Sequence, residues 1–199
     1  MKFRLLILCA LLCTGPAAAD DEWEFNASAS TYFLQDETYV SPVISADRKQ
    51  FHVEARYNDE ALDTTSIFLG YNFHSGENLT ISATPMFGGI FGDINGVAPG
   101  LSLELAYHKF SLLTEPEYFF STDEKESNFF YMWSELAYSP KDWFWFGIAG
   151  QRTRAYQTDL DVQRGFLLGF GKGNFSVTGY IMNLGWGDSF GLVSAEYQF

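Results

Sequence analysis

Apolar and polar residues alternate in this chain in short segments, right up to its last residue. In "VSAEYQF" Val193, Ala195, Tyr197 and Phe199 fall on one side, and Ser194, Glu196 and Gln198 on the other. Successive side chains of a strand point to opposite faces, so this is the period of a strand with one apolar face. The pattern recurs upstream. "FHVEARY" sets Phe51, Val53, Ala55 and Tyr57 against His52, Glu54 and Arg56. "LSLELAY" sets Leu101, Leu103, Leu105 and Tyr107 against Ser102, Glu104 and Ala106, and "LTISATP" sets Leu79, Ile81 and Ala83 against Thr80, Ser82 and Thr84. The chain is therefore an all-β one whose apolar face must meet something.

The N-terminus indicates the compartment. "MKFR", the apolar run "LLILCALLC" and the small residues "PAAA" have the order of a secretory signal peptide, with cleavage after Ala19. Residues 1–19 are read as the leader and 20–199 as a single domain. Cys13 follows Leu11 and Leu12 rather than a small residue, which argues against a lipoprotein, and both cysteines leave with the leader. The mature chain then folds in an oxidising compartment without disulfides. Setting Lys2 and Arg4 aside leaves 10 basic against 25 acidic residues, a net of −15. That balance argues against nucleic acid as a partner.

Aromatics make up 18% of the chain, yet no stretch after residue 19 offers the roughly 20 apolar residues of a membrane helix. A leader, many aromatics and a lipid signal spread over alternate residues predict a transmembrane antiparallel up-and-down β-barrel of the bacterial outer membrane. Counting back from Phe199, longer loops and short turns alternate without a break. They predict twelve strands near 23–34, 39–46, 51–57, 64–73, 79–91, 100–107, 110–121, 128–138, 143–154, 163–171, 174–184 and 190–199. The second and third are short, so ten strands is the alternative. In this register outward residues near the periplasmic ends are Trp23, Phe51, Phe73, Tyr107, Phe110, Tyr138, Phe144, Phe170, Phe175 and Phe199, with aliphatic residues in mid-strand. A girdle of aromatics around an aliphatic band belongs to a membrane barrel, and a soluble sandwich has no reason to sort aromatics by height. Pro42, Pro85 and Pro116 fall inside strands and predict bulges or local irregularity.

The terminal Phe199, with Tyr197 two residues before it, resembles the C-terminal signature of bacterial outer-membrane barrels. The resemblance implies that the barrel-assembly machinery reads the last strand through Tyr197 and Phe199. The stretches "ADRKQFHVEARYN", "TPMFGGIFGD" and "QRTRAYQTDLDVQRGFL" resemble those of small porin-like outer-membrane proteins of Gram-negative bacteria. In strand number the chain is similar to the small monomeric porins for acidic oligosaccharides. Their lumens are basic, whereas this one reads acidic.

The inward face supplies the candidate site. Alternation directs Glu54, Arg56, Glu104, Glu115, Glu117, Tyr131, Trp133, Glu135 and Glu196 into the lumen. Phe68, Phe119, Trp145 and Tyr180 point inward too, so any pore is constricted. Twelve strands about 4.8 Å apart and tilted about 40° close to a diameter of roughly 24 Å. Glu115 and Glu117 share one face, but carboxylates facing Arg and Tyr in a polar lumen read as a structural network before they read as an acid–base pair. The three histidines, His52, His74 and His108, all fall at the periplasmic end. They read as rim residues, with neither the neighbours of a catalytic triad nor metal-ligand spacing. The charges of "QRTRAYQTDLDVQRG" read as an ion-paired outer loop with lipopolysaccharide phosphates as the alternative partner, and Asp93 and Asn95 make only a fragment of a calcium loop. The expected function is a narrow monomeric channel for small neutral or cationic solutes. The alternative is a filled, non-conducting barrel with a structural, surface-interaction or hydrolase role. No cofactor or metal is expected, and the partners expected are outer-membrane lipid and lipopolysaccharide.

Overall fold

A computed structural model of the chain describes residues 22–155, 161–185 and 187–199. The leader expected at 1–19 and the expected cleavage after Ala19 lie outside the described residues. The strands are β1 (Glu24–Phe33), β2 (Thr38–Arg48), β3 (Phe51–Tyr57), β4 (Thr64–Tyr71), β5 (Phe73–Ser75), β6 (Leu79–Gly92) and β7 (Gly96–Tyr107). They continue with β8 (Phe110–Ser121), β9 (Phe129–Lys141), β10 (Phe144–Ala155), β11 (Asp161–Lys172), β12 (Phe175–Met182) and β13 (Phe190–Gln198), and a single 3-10 turn, Lys125–Ser127, precedes β9. β4 and β5 are two parts of one wall strand, since both pair with β6. The barrel therefore has twelve strands, all antiparallel to their neighbours, and β1 pairs with β13 to close it.

Short connections gather at one end of the barrel, the turn end, where the chain also enters and leaves. Phe25 and Phe199 exchange two backbone hydrogen bonds there, each 3.0 Å long. The opposite, loop end carries the longer connections. β7 begins at Gly96, so the loop read as "GDINGVAP" shrinks to residues 93–95. The β9–β10 turn is 142–143, because β9 runs on through Ser139–Lys141.

The prolines interrupt hydrogen bonding without shifting the register. Pro85 pairs with Leu101 on its β7 side. On the other side the β6 ladder stops at Gly70↔Met86 and resumes at Phe73↔Ala83 in the same register. Proline has no N–H to give, and this is where the wall strand parts into β4 and β5 at Asn72. Pro116 pairs with Met132 and sits beside a gap between Gly100↔Glu117 and Leu103↔Thr114. Pro42 pairs with Ala29, just beyond the end of the β2–β3 ladder at Val43. The expected irregularity thus takes the form of gaps. Among the described residues a register shift lies elsewhere, at Phe144/Phe146 between β9 and β10.

The outer wall is a continuous apolar surface. Ile44, Ile67, Leu69, Leu136, Ile148, Leu168 and Ile181 are all exposed there. A soluble protein does not leave a belt of that size to water, whereas a bilayer requires it. Aromatics crowd its turn-end edge. Phe25 stacks on Phe199 at 5.7 Å, Trp23 meets Phe51 at 6.0 Å, Phe110 meets Tyr138 at 5.0 Å and Phe144 meets Phe170 at 5.3 Å. The sorting by height is incomplete, because Phe87 and Phe166 are exposed on the outer wall in mid-strand, paired with Leu69 and Ile148.

Inside, aromatics lie over glycines of the neighbouring strand. Trp145 pairs with Gly169, and a Cβ on Gly169 would meet the indole at 2.1 Å. Phe68 pairs with Gly88, where a Cβ would meet the ring at 2.6 Å. These rings anchor two buried clusters. One joins Trp133, Trp145, Leu167, Tyr180, Met182 and Leu192, and the other joins Phe68, Ile90, Ala98 and Phe119. Together they narrow the lumen from two sides. Gly169→Val should cost about 1–3 kcal/mol by overpacking, and Trp145→Ala about 3–5 kcal/mol by leaving a cavity. Because the added methyls would occupy space left by the indole, the double variant should be clearly more stable than the sum of the two predicts. Urea unfolding in lipid vesicles measures this, and strict additivity would contradict the ring-on-glycine fit.

Candidate functional site

Between the two apolar clusters lies a polar cavity of about 360 Å³. It extends from the level of Glu24 and Gln198 at the turn end to Tyr32 and Asp59 at the loop end. All nine residues assigned to the lumen from alternation, Glu54, Arg56, Glu104, Glu115, Glu117, Tyr131, Trp133, Glu135 and Glu196, border it. Glu24, Asp47 and Asp59 join them, giving nine carboxylates against a single arginine and no lysine among the described lining residues. Tyr197 and Phe199 sit instead on the outer wall at the turn end, exposed and stacked on each other at 5.8 Å.

Two polar contacts cross the lumen. The first centres on Arg56 of β3. Its Nε donates to Glu54 Oε1 at 2.7 Å, and its Nη1 donates to Asp59 Oδ2 at 3.0 Å and to Glu117 Oε2 at 3.1 Å. Glu117 belongs to β8, with three wall strands between it and β3, so this bond is a chord across the barrel. The guanidinium lies over the Phe68 ring, 4.2 Å from its centroid, with Met86 Sδ at 3.5 Å. A weakly hydrated planar cation suits such a half-apolar seat better than an ammonium would. The second chord ends on Glu135 of β9, whose Oε1 accepts Trp133 Nε1 at 2.7 Å and the Tyr180 hydroxyl of β12 at 2.8 Å.

The carboxylates differ in how firmly they are held. Glu117 and Glu135 are buried, and Glu196 accepts from Asn26 Nδ2. Glu115 is exposed to the cavity and accepts a hydrogen bond from Ser102 Oγ at 3.3 Å. It therefore presents its carboxyl group to whatever enters.

Two parts of the site escaped the sequence reading. Loop 58–63 turns inward and adds Asp59 and Glu60 to the Arg56 cluster. Glu60 accepts from Ser66 Oγ at 2.7 Å and lies 3.6 Å from Arg56, and its side chain is 2% exposed. Burial, reinforced by Asp59, holds the Glu60 carboxyl above its ordinary range, while Arg56 and Ser66 draw it back. Loop residues carry no periodic signal that could have found them. The second part lies at the turn end. His52, read as a rim histidine, is buried on the lumen side, with Nδ1 2.8 Å from Asp47 Oδ1. Asn72 donates to the same oxygen at 2.6 Å and accepts from Thr84 at 2.6 Å. Asn72 lies at the wall break, and its backbone N–H still donates to Gln50 O at 2.7 Å while its side chain makes these bonds on the lumen face. His74 instead meets Ser82 at 3.1 Å, and His108 occupies its turn at φ 54°. Among the described residues no group of three or more His, Cys, Asp or Glu is arranged to hold a metal. In the charged segment 151–165, Arg152 is exposed and pairs with outward Val162, while residues 156–160 lie outside the described residues.

Fold and lumen together define a closed, twelve-stranded transmembrane barrel with a narrow acidic interior. Comparison with known proteins places it among the small porins by fold. A KdgM porin superposes with a TM-score of 0.67 at 14% identity, over 87% of this chain and 99% of that one. A KdgM porin in complex with disordered oligogalacturonate gives 0.65 at 14% identity, over 88% and 99%. A NanC porin gives 0.62 at 10% identity, over 88% and 98%. No family model matches the sequence, and no curated protein matches it. At such low identities the likeness is one of fold.

The buried acceptor and the accessible one should behave differently. Glu135→Leu strands two buried donors at about 1–3 kcal/mol each, so a loss of about 2–5 kcal/mol is expected, while Glu115→Gln should cost less than about 0.5 kcal/mol, as a change at an accessible site does. Equal losses on urea unfolding would contradict the assignment of Glu135 as a brace and Glu115 as a lining residue.

Proposed function

We propose that this protein is a narrow monomeric channel of the bacterial outer membrane, passing small neutral or cationic solutes. The observation that carries the reading is the charge of the cavity: nine carboxylates and one arginine line a path running most of the barrel's height. Rings of carboxylates raise the local concentration of cations and repel anions. Lys49, Lys109 and Lys125 stand away from this path at turns and loops, and Arg152 stands on the outer face. The solved neighbours support the channel architecture. The oligogalacturonate of one neighbour is an acidic ligand, whereas this lumen is itself acidic and suits ligands of the other sign.

The location follows from the same features. With the apolar belt in the bilayer, the turn end faces the periplasm and the loop end faces outward, as the short turns of such barrels do. Phe199 and Tyr197 stand exposed on the closing strand, where assembly factors could reach them, and lipopolysaccharide would meet the loop-end rim. The two apolar clusters favour a second reading, a filled barrel that does not conduct.

Flux into proteoliposomes separates the readings. Small organic cations should enter faster than anions of equal size. Glu115→Gln should reduce that preference by roughly twofold to fivefold, the effect of one unit charge worth about 1 kcal/mol or less in a watery lumen. Faster entry of the anion would reject the cation reading, and no entry of any solute would support the filled barrel.

A further inference from the structure

Loop 58–63 differs from the other loops in where its side chains go. Asp59 is the only loop residue among the described ones that borders the cavity. The loop is a compact, closed unit. Asn58 and Asp63 both adopt positive φ, 57° and 54°, and Asp63 N–H donates to Asn58 Oδ1 at 2.8 Å. Asn58 N–H donates to Thr64 O at 2.9 Å, and Asn58 Nδ2 donates to Val40 O at 3.1 Å. That frame directs Asp59 and Glu60 into the barrel. Ser41 of β2 donates to Asp59 Oδ1 at 3.2 Å, and Ser66 of β4 donates to Glu60. Glu60 Oε2 is buried without a hydrogen-bond partner.

The charges make this arrangement conditional. Glu54, Asp59, Glu60 and Glu117 crowd together, and like carboxylates repel in a site of low dielectric. Among the described residues the one guanidinium or ammonium group between them is that of Arg56, whose Nη1 bonds Asp59 from the loop and Glu117 from the far wall at once, while His52 stands 3.9 Å from Glu54. An arginine offers five donors in a rigid planar fork, whereas a lysine offers three on a flexible stem and holds several carboxylates less firmly. We propose that Arg56 is a latch that holds loop 58–63 inside the loop-end mouth, and that this residue sets the bore of the channel. The inference rests on the channel reading for its consequence, but not for its geometry. With Arg56 neutral, repulsion among the four carboxylates drives Asp59 and Glu60 outward, and the mouth widens.

The two cysteines of the sequence lie at positions 9 and 13, in the leader, so an introduced pair is unambiguous. Ser66→Cys with Glu60→Cys places thiols where the structure has a hydrogen bond between the native side chains, and it leaves the Arg56–Asp59 and Arg56–Glu117 bonds in place. In folded, reconstituted protein this pair should oxidise readily with Arg56 present, and several-fold more slowly in an Arg56→Gln background. In planar bilayers Arg56→Gln should raise single-channel conductance by at least about twofold without lowering cation preference. Oxidising the cysteine pair in that background should bring the conductance back down, and reductant should release it. If Arg56→Gln fails to fold, Arg56→Lys replaces it. That variant keeps the charge but loses the fork, so slower cross-linking is still expected. Equal cross-linking rates with and without Arg56 would overturn the latch, as would a conductance unchanged by its loss. A silent wild-type barrel whose cross-linking still depends on Arg56 would reject the channel and leave the latch standing.

Discussion

A backbone facing hydrocarbon has no water to bond, and each unmatched N–H or C=O there costs several kcal/mol. Closure of the wall by β1 and β13 is therefore the constraint on which the rest of this structure depends. Once the ring is closed, side chains can no longer choose between core and solvent. They face either lipid or a lumen only about 24 Å across between opposite backbones. The outward set is free to be uniformly apolar. The inward set must share a small volume, and that crowding determines what the protein can do.

Crowding is resolved by two devices. Apolar rings fold flat over glycines, as Trp145 does over Gly169, which takes large side chains out of the path. Polar side chains reach across, as Arg56 does to Glu117 and Tyr180 to Glu135, which ties distant strands together. The first device limits how far the rings narrow the lumen, and the second ties its walls together. Both leave a surplus of carboxylates along the remaining cavity, and Glu115 meets that cavity directly. Function thus follows from the residues left over once the interior has been packed and braced.

The sequence displayed the wall plainly. Alternation in "FHVEARY" and "LSLELAY", turns at regular intervals and aromatics near one end were enough for twelve strands, because period, length and turn chemistry are local properties. The same alternation put Glu115 and Glu135 on the inward face. It could not distinguish them, since one being braced and the other accessible depends on Trp133 and Tyr180, partners set by cross-lumen distance. Asp59 and Glu60 were illegible for a related reason. A loop's direction is set by its frame, here Asn58 and Asp63 at positive φ, and no periodicity records it. Pro85 did announce an irregularity, but only the paired strands reveal that a gap at Asn72 preserves the register. The mid-wall Phe87 and Phe166 show that the girdle is a tendency rather than a rule, since lipid accepts an aromatic ring at any depth.

The central claim is that an acidic, water-filled path runs through the barrel. The reversal potential of the reconstituted wild-type protein under a tenfold KCl gradient tests it most directly. A carboxylate-lined lumen predicts a potential displaced towards the potassium equilibrium value, with the displacement shrinking at high salt as screening shortens the reach of the carboxylates. A potential displaced towards the chloride value, or a folded barrel that carries no current, would contradict the account.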